Sequence, residues 1–153
     1  MSFFKIRPMR EDDANYVVST TVKNYWKSSY FAKSVGKDIF FRGEHRLFQI
    51  LISLPSTSVL IATDVKDDST IFGFIVSELV KLPWDQDVHR ALHYIYVKNS
   101  FRSFGIGKAL LEASGMSIEE GFRYSHETIP FAKKPFKRVV YDPFILNQLK
   151  EME

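Results

Sequence analysis

Residues 96–112, YVKNSFRSFGIGKALLE, begin as a strand-forming run, pass through Gly105 and Gly107, and end as a helix-forming run. The chain carries only 7 glycines in 153 residues, so two within three positions constrain the fold strongly. Glycine admits backbone angles and close approaches that a Cβ forbids. A turn that opens a helix also leaves N–H groups without intrahelical acceptors, and such groups suit a phosphate. The rest of the chain decides whether this turn holds a ligand or merely turns.

The flanking pattern supplies a sheet. Residues 3–7 read as a short strand closed by Pro8. From Glu11 to about Trp26, Ala14, Val17, Val18 and Tyr25 keep helical spacing behind an acidic first turn that suits the helix dipole. Residues 27–43 read as a loop with room for a helical turn, and 44–54 as a second helix with Leu47, Ile50, Leu51 and Leu54 on one face. SVLIAT (58–63) and IFGFIVSELV (71–80) read as a hairpin around the polar turn DVKDDST. Leu82, Pro83 and Trp84 interrupt, and VHRALHYIYV (88–97) resumes strand character before the glycine turn. The helix that follows should bury Ile106, Ala109, Leu110 and Ala113, with Gly115 at its end. Ser117 and Glu120 have the spacing of a capping box for one more turn, and Gly121 is a stop. FRYSHETI (122–129) reads as a last major strand and RVVYDPFIL (138–146) as a short strand or extended tail. The order predicts one α/β or α+β domain over 1–153, a mixed, mostly antiparallel sheet flanked by helices.

Several functions are excluded or disfavoured. Without cysteine there is no disulfide, thiolate metal site or cysteine nucleophile, and a reducing, cytoplasmic setting fits. No stretch reaches the ~18 apolar residues of a membrane helix, and the N-terminus lacks a signal-peptide core. A net charge of +3 suits an anionic ligand but does not argue for nucleic acid. The turn itself fails two nucleotide motifs. Walker A needs Ser or Thr after Gly-Lys, where Ala109 stands, and a glycine at position 102, which is Arg102. The dinucleotide fingerprint needs a third glycine where Leu110 stands.

Arg102-Ser103-Phe104-Gly105-Ile106-Gly107 does match [RQ]-x-x-G-x-[GA], and here the chain resembles the GNAT superfamily of acyl-CoA-dependent N-acyltransferases. HYIYVKNSF resembles that family's central strand, KALLE the following helix, KIRPMREDDA its opening strand and helix start, and VLIATDVKDDSTIFGFIVSEL its second and third strands, with Gly73 at a position where the family often has glycine. The resemblance covers residues 4 to about 114 and implies a GNAT fold with acetyl-CoA as cosubstrate. It places the CoA pyrophosphate on backbone N–H groups of Ser103, Phe104, Gly105, Ile106, Gly107 and Lys108, with Arg102 adding charge. It pairs the pantetheine arm with Ile95, Tyr96 and Val97. Beyond residue 115 the pattern departs: the family's asparagine and tyrosine helix is missing, and YSHETIPFAKKPFKRVVYDPFIL is short and broken by prolines. That shortened C-terminal part resembles compact GNAT-like proteins of bacteriophages and prophages.

The implied reaction is direct acetyl transfer to an amine, which needs a base for the ammonium proton and a donor for the leaving thiolate. His93, two residues before Ile95 and expected on its face, is the candidate base; the plain alternative is a histidine satisfied by backbone. Glu78 could face the same cleft or lie exposed at a strand end. Tyr124, His126 and Thr128 alternate along the last strand and could line the acceptor or thioester pocket, with Tyr124 the nearest substitute for the missing tyrosine. Tyr141 is a poorer substitute. His45 and His89 lack partners at ligand spacing, and no cluster supports a metal site. KKPFKR (133–138) reads as a solvated tail or a contact for CoA phosphates or an acidic partner. An assembly of identical chains stays open, as does a non-catalytic GNAT-fold module for binding or assembly.

Overall fold

The computed structural model describes residues 2–82, 87–128 and 137–147. Six strands form one sheet in sequence order. They are β1 (Phe4–Pro8), β2 (Thr57–Asp64), β3 (Ile71–Lys81), β4 (Val88–Val97), β5 (Phe122–Tyr124) and β6 (Val139–Tyr141). Antiparallel pairing runs from β1 to β4, whereas β4–β5 and β5–β6 are parallel. A parallel pair needs a crossover. Between β4 and β5 the chain supplies one through the glycine turn and helix α3 (Ile106–Ala113).

Helices α1 (Ala14–Ser28) and α2 (Lys37–Ser53) cover one face of the sheet. Val17, Val18, Val22 and Tyr25 of α1 and Phe40, Phe48 and Leu51 of α2 pack there with Phe74, Val76 and Tyr94. On the other face Ile106 and Leu110 of α3 pack with Phe72, Ile75, Leu92, Phe122 and Tyr124. Burial of whole aliphatic and aromatic side chains, at roughly 1.5–3 kcal/mol each, holds the two layers on the sheet.

Three expectations are corrected. α2 starts at Lys37, so 37–43 is helix, not loop. Phe40, buried against Tyr25 and Trp26, gains more than Gly43 costs within the helix. Ala113 is exposed, and Leu111 packs into the core beside Leu110 instead. Ser117 accepts a bond from the Glu120 N–H at 3.1 Å, and the expected single turn forms before Gly121. The last major strand stops at Tyr124, and the chain bends at Ser125 and His126. Pro83, Trp84, Ile129 and residues 133–136 of the basic run lie outside the described residues.

A β-bulge lies between Val76 and Ser77, which pair with Tyr94 and Leu92 and leave His93 as the extra residue of β4. A bulge breaks strict alternation and re-aims a side chain. Consequently His93 does not share a face with Ile95. Ile95 packs with the α3 cluster, while His93 is bonded into a polar group that ends among residues of α1 and α2.

Candidate active site

β4 is paired with β3 along its length, but β5 accompanies only Ala91 and Leu92. Ser125 N–H donates to the Leu92 carbonyl at 3.0 Å, and beyond that bond the two strands part. A cleft of about 600 Å³ opens there. Residues 94–97 of β4 form its floor, Asn24 and Ser28 of α1 one side, and the turn before α3 its far end.

The turn is built from local backbone rules. Residues Asn99–Phe101 form a single 3-10 turn, and Arg102 then runs extended, its Nε donating to the Val97 carbonyl at 3.0 Å. Ser103 and Gly105 both take left-handed angles, with φ of 71° and 86°. For Ser103 that conformation stores strain of roughly 1–3 kcal/mol, held by the surrounding turn. At Gly105 a Cβ would meet nothing within 4 Å, so the backbone angle, not lack of room, requires glycine. The first helical bond runs from the Ala109 N–H to the Gly105 carbonyl at 3.0 Å. The N–H groups of Gly105, Ile106, Gly107 and Lys108 therefore have no acceptor within the helix. They add to the positive end of the α3 dipole, with Arg102 and Lys108 exposed beside them. The arrangement can hold an anion, and the open edge of β4 can pair with an extended, amide-bearing chain.

Ile95, Tyr96, Val97, Arg102, Ser103, Gly105, Ile106, Gly107, Lys108 and Thr128 all line this cleft. Phe104 does not. Its ring is 61% exposed and meets Phe3 edge-on, with centroids 5.8 Å apart.

Glu78, His93, Tyr124 and His126 are also off the cleft wall. Tyr124 and His126 were expected on one face with Thr128, but the bend after Tyr124 separates all three. Tyr124 joins the α3-side core and stacks on Tyr141 at 5.5 Å. Its phenol is pushed up by burial, as is that of Tyr141. His126 turns the other way and sits against Tyr25 and Phe48, each at 4.9 Å. Only Thr128 reaches the cleft. His45 is exposed, and His89 is half-buried near the start of β4.

Glu78, His93 and His126 instead belong to a buried chain of hydrogen bonds. Ser56 Oγ donates to Glu78 Oε2 at 2.9 Å, and Glu78 Oε1 faces His93 Nε2 at 2.7 Å. His93 Nδ1 faces Ser125 Oγ at 2.7 Å, and Ser125 Oγ faces His126 Nδ1 at 2.7 Å. His126 Nε2 faces Glu44 Oε2 of α2 at 3.2 Å. Burial pushes His93 below the ordinary imidazole value, with the nearby His126 acting the same way and the Glu78 hydrogen bond opposing them. Burial also works against the Glu78 carboxylate, but hydrogen bonds with His93 and Ser56 outweigh it and hold the group low. The pair rests with Glu78 ionised and His93 neutral.

Sequence reasoning missed Asn24, Ser28 and Tyr94 on the cleft wall. Tyr94 Oη donates to Asn24 Oδ1, and burial pushes its phenol far above the ordinary tyrosine value. The available signal was the alternation of Tyr94 and Tyr96 with Ile95 and Val97, together with Asn24 and Ser28 one helical turn apart. Ser125 and Glu44 carried no such signal, because His93 is 32 residues from Ser125 and His126 is 82 from Glu44. Among the described residues no three His, Cys, Asp or Glu side chains are grouped to hold a metal ion. Among them, too, no helix is long and apolar enough to cross a membrane.

The Acetyltransferase (GNAT) family model matches residues 21–115. No curated protein matches the chain. Solved structures do. A candidate acetyl transferase from Pyrococcus furiosus is 16% identical with a TM-score of 0.63, over 97% of this chain and 91% of that one. A GCN5-related N-acetyltransferase from Ralstonia eutropha is 17% identical with a TM-score of 0.58, over 97% and 89%. The PaiA N-acetyltransferase of Thermoplasma acidophilum, solved with coenzyme A, is 19% identical with a TM-score of 0.51, over 75% and 70%. These likenesses show the fold.

Proposed function

The chain belongs to the Acetyltransferase (GNAT) family, and from that premise we propose that it moves acetyl from acetyl-CoA directly to an amine. The observation that carries this reading is the coincidence at one place of three features. The β4 edge is left open by β5, the N–H groups before α3 are free of helical acceptors, and Arg102 and Lys108 flank them. Pyrophosphate rests on the N–H groups of residues 103–108, and the pantetheine arm runs along Ile95, Tyr96 and Val97. That layout brings the thioester toward Tyr94, Asn24 and Thr128. A solved acetyltransferase of this fold holds coenzyme A, which supports the choice of ligand.

Two proton movements follow. The attacking amine loses a proton, assigned to the His93–Glu78 pair one residue along β4 from Tyr94. The leaving thiolate gains one. Tyr94 replaces Tyr124 as its donor, because Tyr94 is on the wall and its raised phenol pKa keeps it protonated at neutral pH. The acceptor is an amine in a small molecule, a protein N-terminus, a lysine or a nucleobase. A cytoplasmic setting and a phage or prophage origin belong to the same reading.

Labelled acetyl-CoA offered with one amine of each class tests it. Label should move to one class, and His93→Ala should lower turnover by about 10²-fold while CoA affinity holds. One observation favours a second reading, a GNAT-fold module that binds without catalysis: Glu78, His93 and His126 are all off the cleft wall. CoA binding with no label transferred to any amine class would select it.

A further inference from the structure

Glu78, His93, Ser125, His126 and Glu44 are linked by four consecutive hydrogen bonds. Each bond needs one proton between its two heavy atoms. With both carboxylates ionised they only accept, while a neutral imidazole supplies one N–H and serine one O–H. Two neutral imidazoles and one hydroxyl thus supply three protons for four bonds. If both rings donate outward to their carboxylates, Ser125 can donate to only one Nδ1. It is then left facing the lone pair of the other at 2.7 Å. Such a clash is costly here, since Ser125, His93 and His126 are all buried.

We propose that these five residues form a proton relay that holds one proton beyond those of two neutral imidazoles and a hydroxyl, and passes it between His126 and His93 through Ser125. With the extra proton on His126, its Nε2–H donates to Glu44 and its Nδ1–H to Ser125. Ser125 O–H donates to His93 Nδ1, and His93 Nε2–H donates to Glu78. If the His126 Nδ1 proton moves to Ser125 while the serine proton moves to His93, every bond is kept and the charge has crossed to His93. No heavy atom needs to move, and atoms and charge balance. A second added proton finds no open bond in the chain.

The neighbours favour a single cation. Glu44 comes from α2 and Glu78 from β3, one carboxylate at each end. Tyr25 of α1 touches the His126 ring, and burial holds its phenol up at about 12, so it adds no charge near neutrality. Tyr94 and Tyr141 are raised likewise, and Glu127 beside Tyr25 adds negative charge. The proton count stands apart from acetyl transfer. Its use, to take the acceptor's proton without charging two imidazoles, rests on that reading.

The test is 15N-histidine NMR on the CoA-free protein from about pH 5 to 9, the range in which imidazole titrates. The His93 and His126 rings should gain one proton between them and change together. Ser125→Ala should uncouple the two titrations, and Ser125→Thr, which keeps the hydroxyl, should retain the joint one. Two protons taken up by the pair, none taken up, or a joint titration that survives Ser125→Ala would overturn the relay. Glu44→Gln removes an end charge without cutting the chain, and covers the case in which Ser125→Ala does not fold. It should move the joint uptake down by about 1 pH unit or more; an unmoved titration would contradict the proposal. All of these outcomes are read without CoA, so a protein that transfers no acetyl can still pass or fail.

Discussion

Asp13 shows how much one side chain can fix. Its carboxylate takes a two-pronged ion pair from Arg7 of β1, at 2.6 and 3.2 Å, and the Arg10 N–H at 2.8 Å, just before α1. It therefore ties the first strand to the first helix. The Arg7 hydrogen bond, against the penalty of burial, holds the carboxyl below its ordinary value. A folded-state value below the unfolded one means that the contribution is full above about pH 4 and is lost as pH falls through the lowered value. Asp13→Ala should cost about 2–3 kcal/mol at neutral pH, with Arg7 left half-paired. Urea unfolding should show that gap at pH 7 and a narrower one near pH 3; a constant gap would deny the linkage.

At the scale of elements, β3 and β4 are the frame on which the cleft is built. Gly73 of β3 lies so close to the Tyr96 backbone carbonyl that any Cβ would collide with it. Gly73→Ala should therefore force the strands apart and cost roughly 1–3 kcal/mol, and an equally stable protein in thermal melts would show that the strands can yield. The hairpin, the glycine turn and α3 are legible in sequence because each rests on neighbours along the chain: alternation, a missing Cβ, a helical stripe. The start of α2 is not, since Phe40 earns its place against Tyr25 and Trp26 of another helix. FRYSHETI alternates like a strand, yet it stops at Tyr124 as Ser125 and His126 turn to partners on β4 and α2. The bulge that turns His93 toward Glu78 likewise leaves no trace in the order of residues. The glycine turn and the β4 residues of the cleft were thus readable, and the buried chain from Glu78 to Glu44, with contacts 15, 32 and 82 residues apart, was not.

The whole molecule explains why the glycine turn and the open edge of β4 meet. A crossover helix must begin near the C-terminal end of the strand it leaves, and here that is the end of β4 where β5 has already departed. The positive end of α3 and the open strand edge therefore fall together. The chain's net charge of +3 adds a mild attraction for an anion. Anion binding can be separated from folding at Gly107, in the first turn of α3 and on the cleft wall, where a Cβ would meet Val97 and Ile95 only at ordinary contact distances of 3.9 and 4.0 Å. An aspartate there suits the helix dipole, at about 0.3–1 kcal/mol in favour of the fold, but sets a carboxylate where the pyrophosphate is assigned. The most direct measurement is calorimetric titration of CoA into the parent protein and Gly107→Asp, with melting temperatures taken alongside. The account predicts binding by the parent and at least a tenfold loss, about 1.4 kcal/mol, in a variant that melts no lower. Equal CoA affinity in the two proteins, or none in the parent, would contradict it.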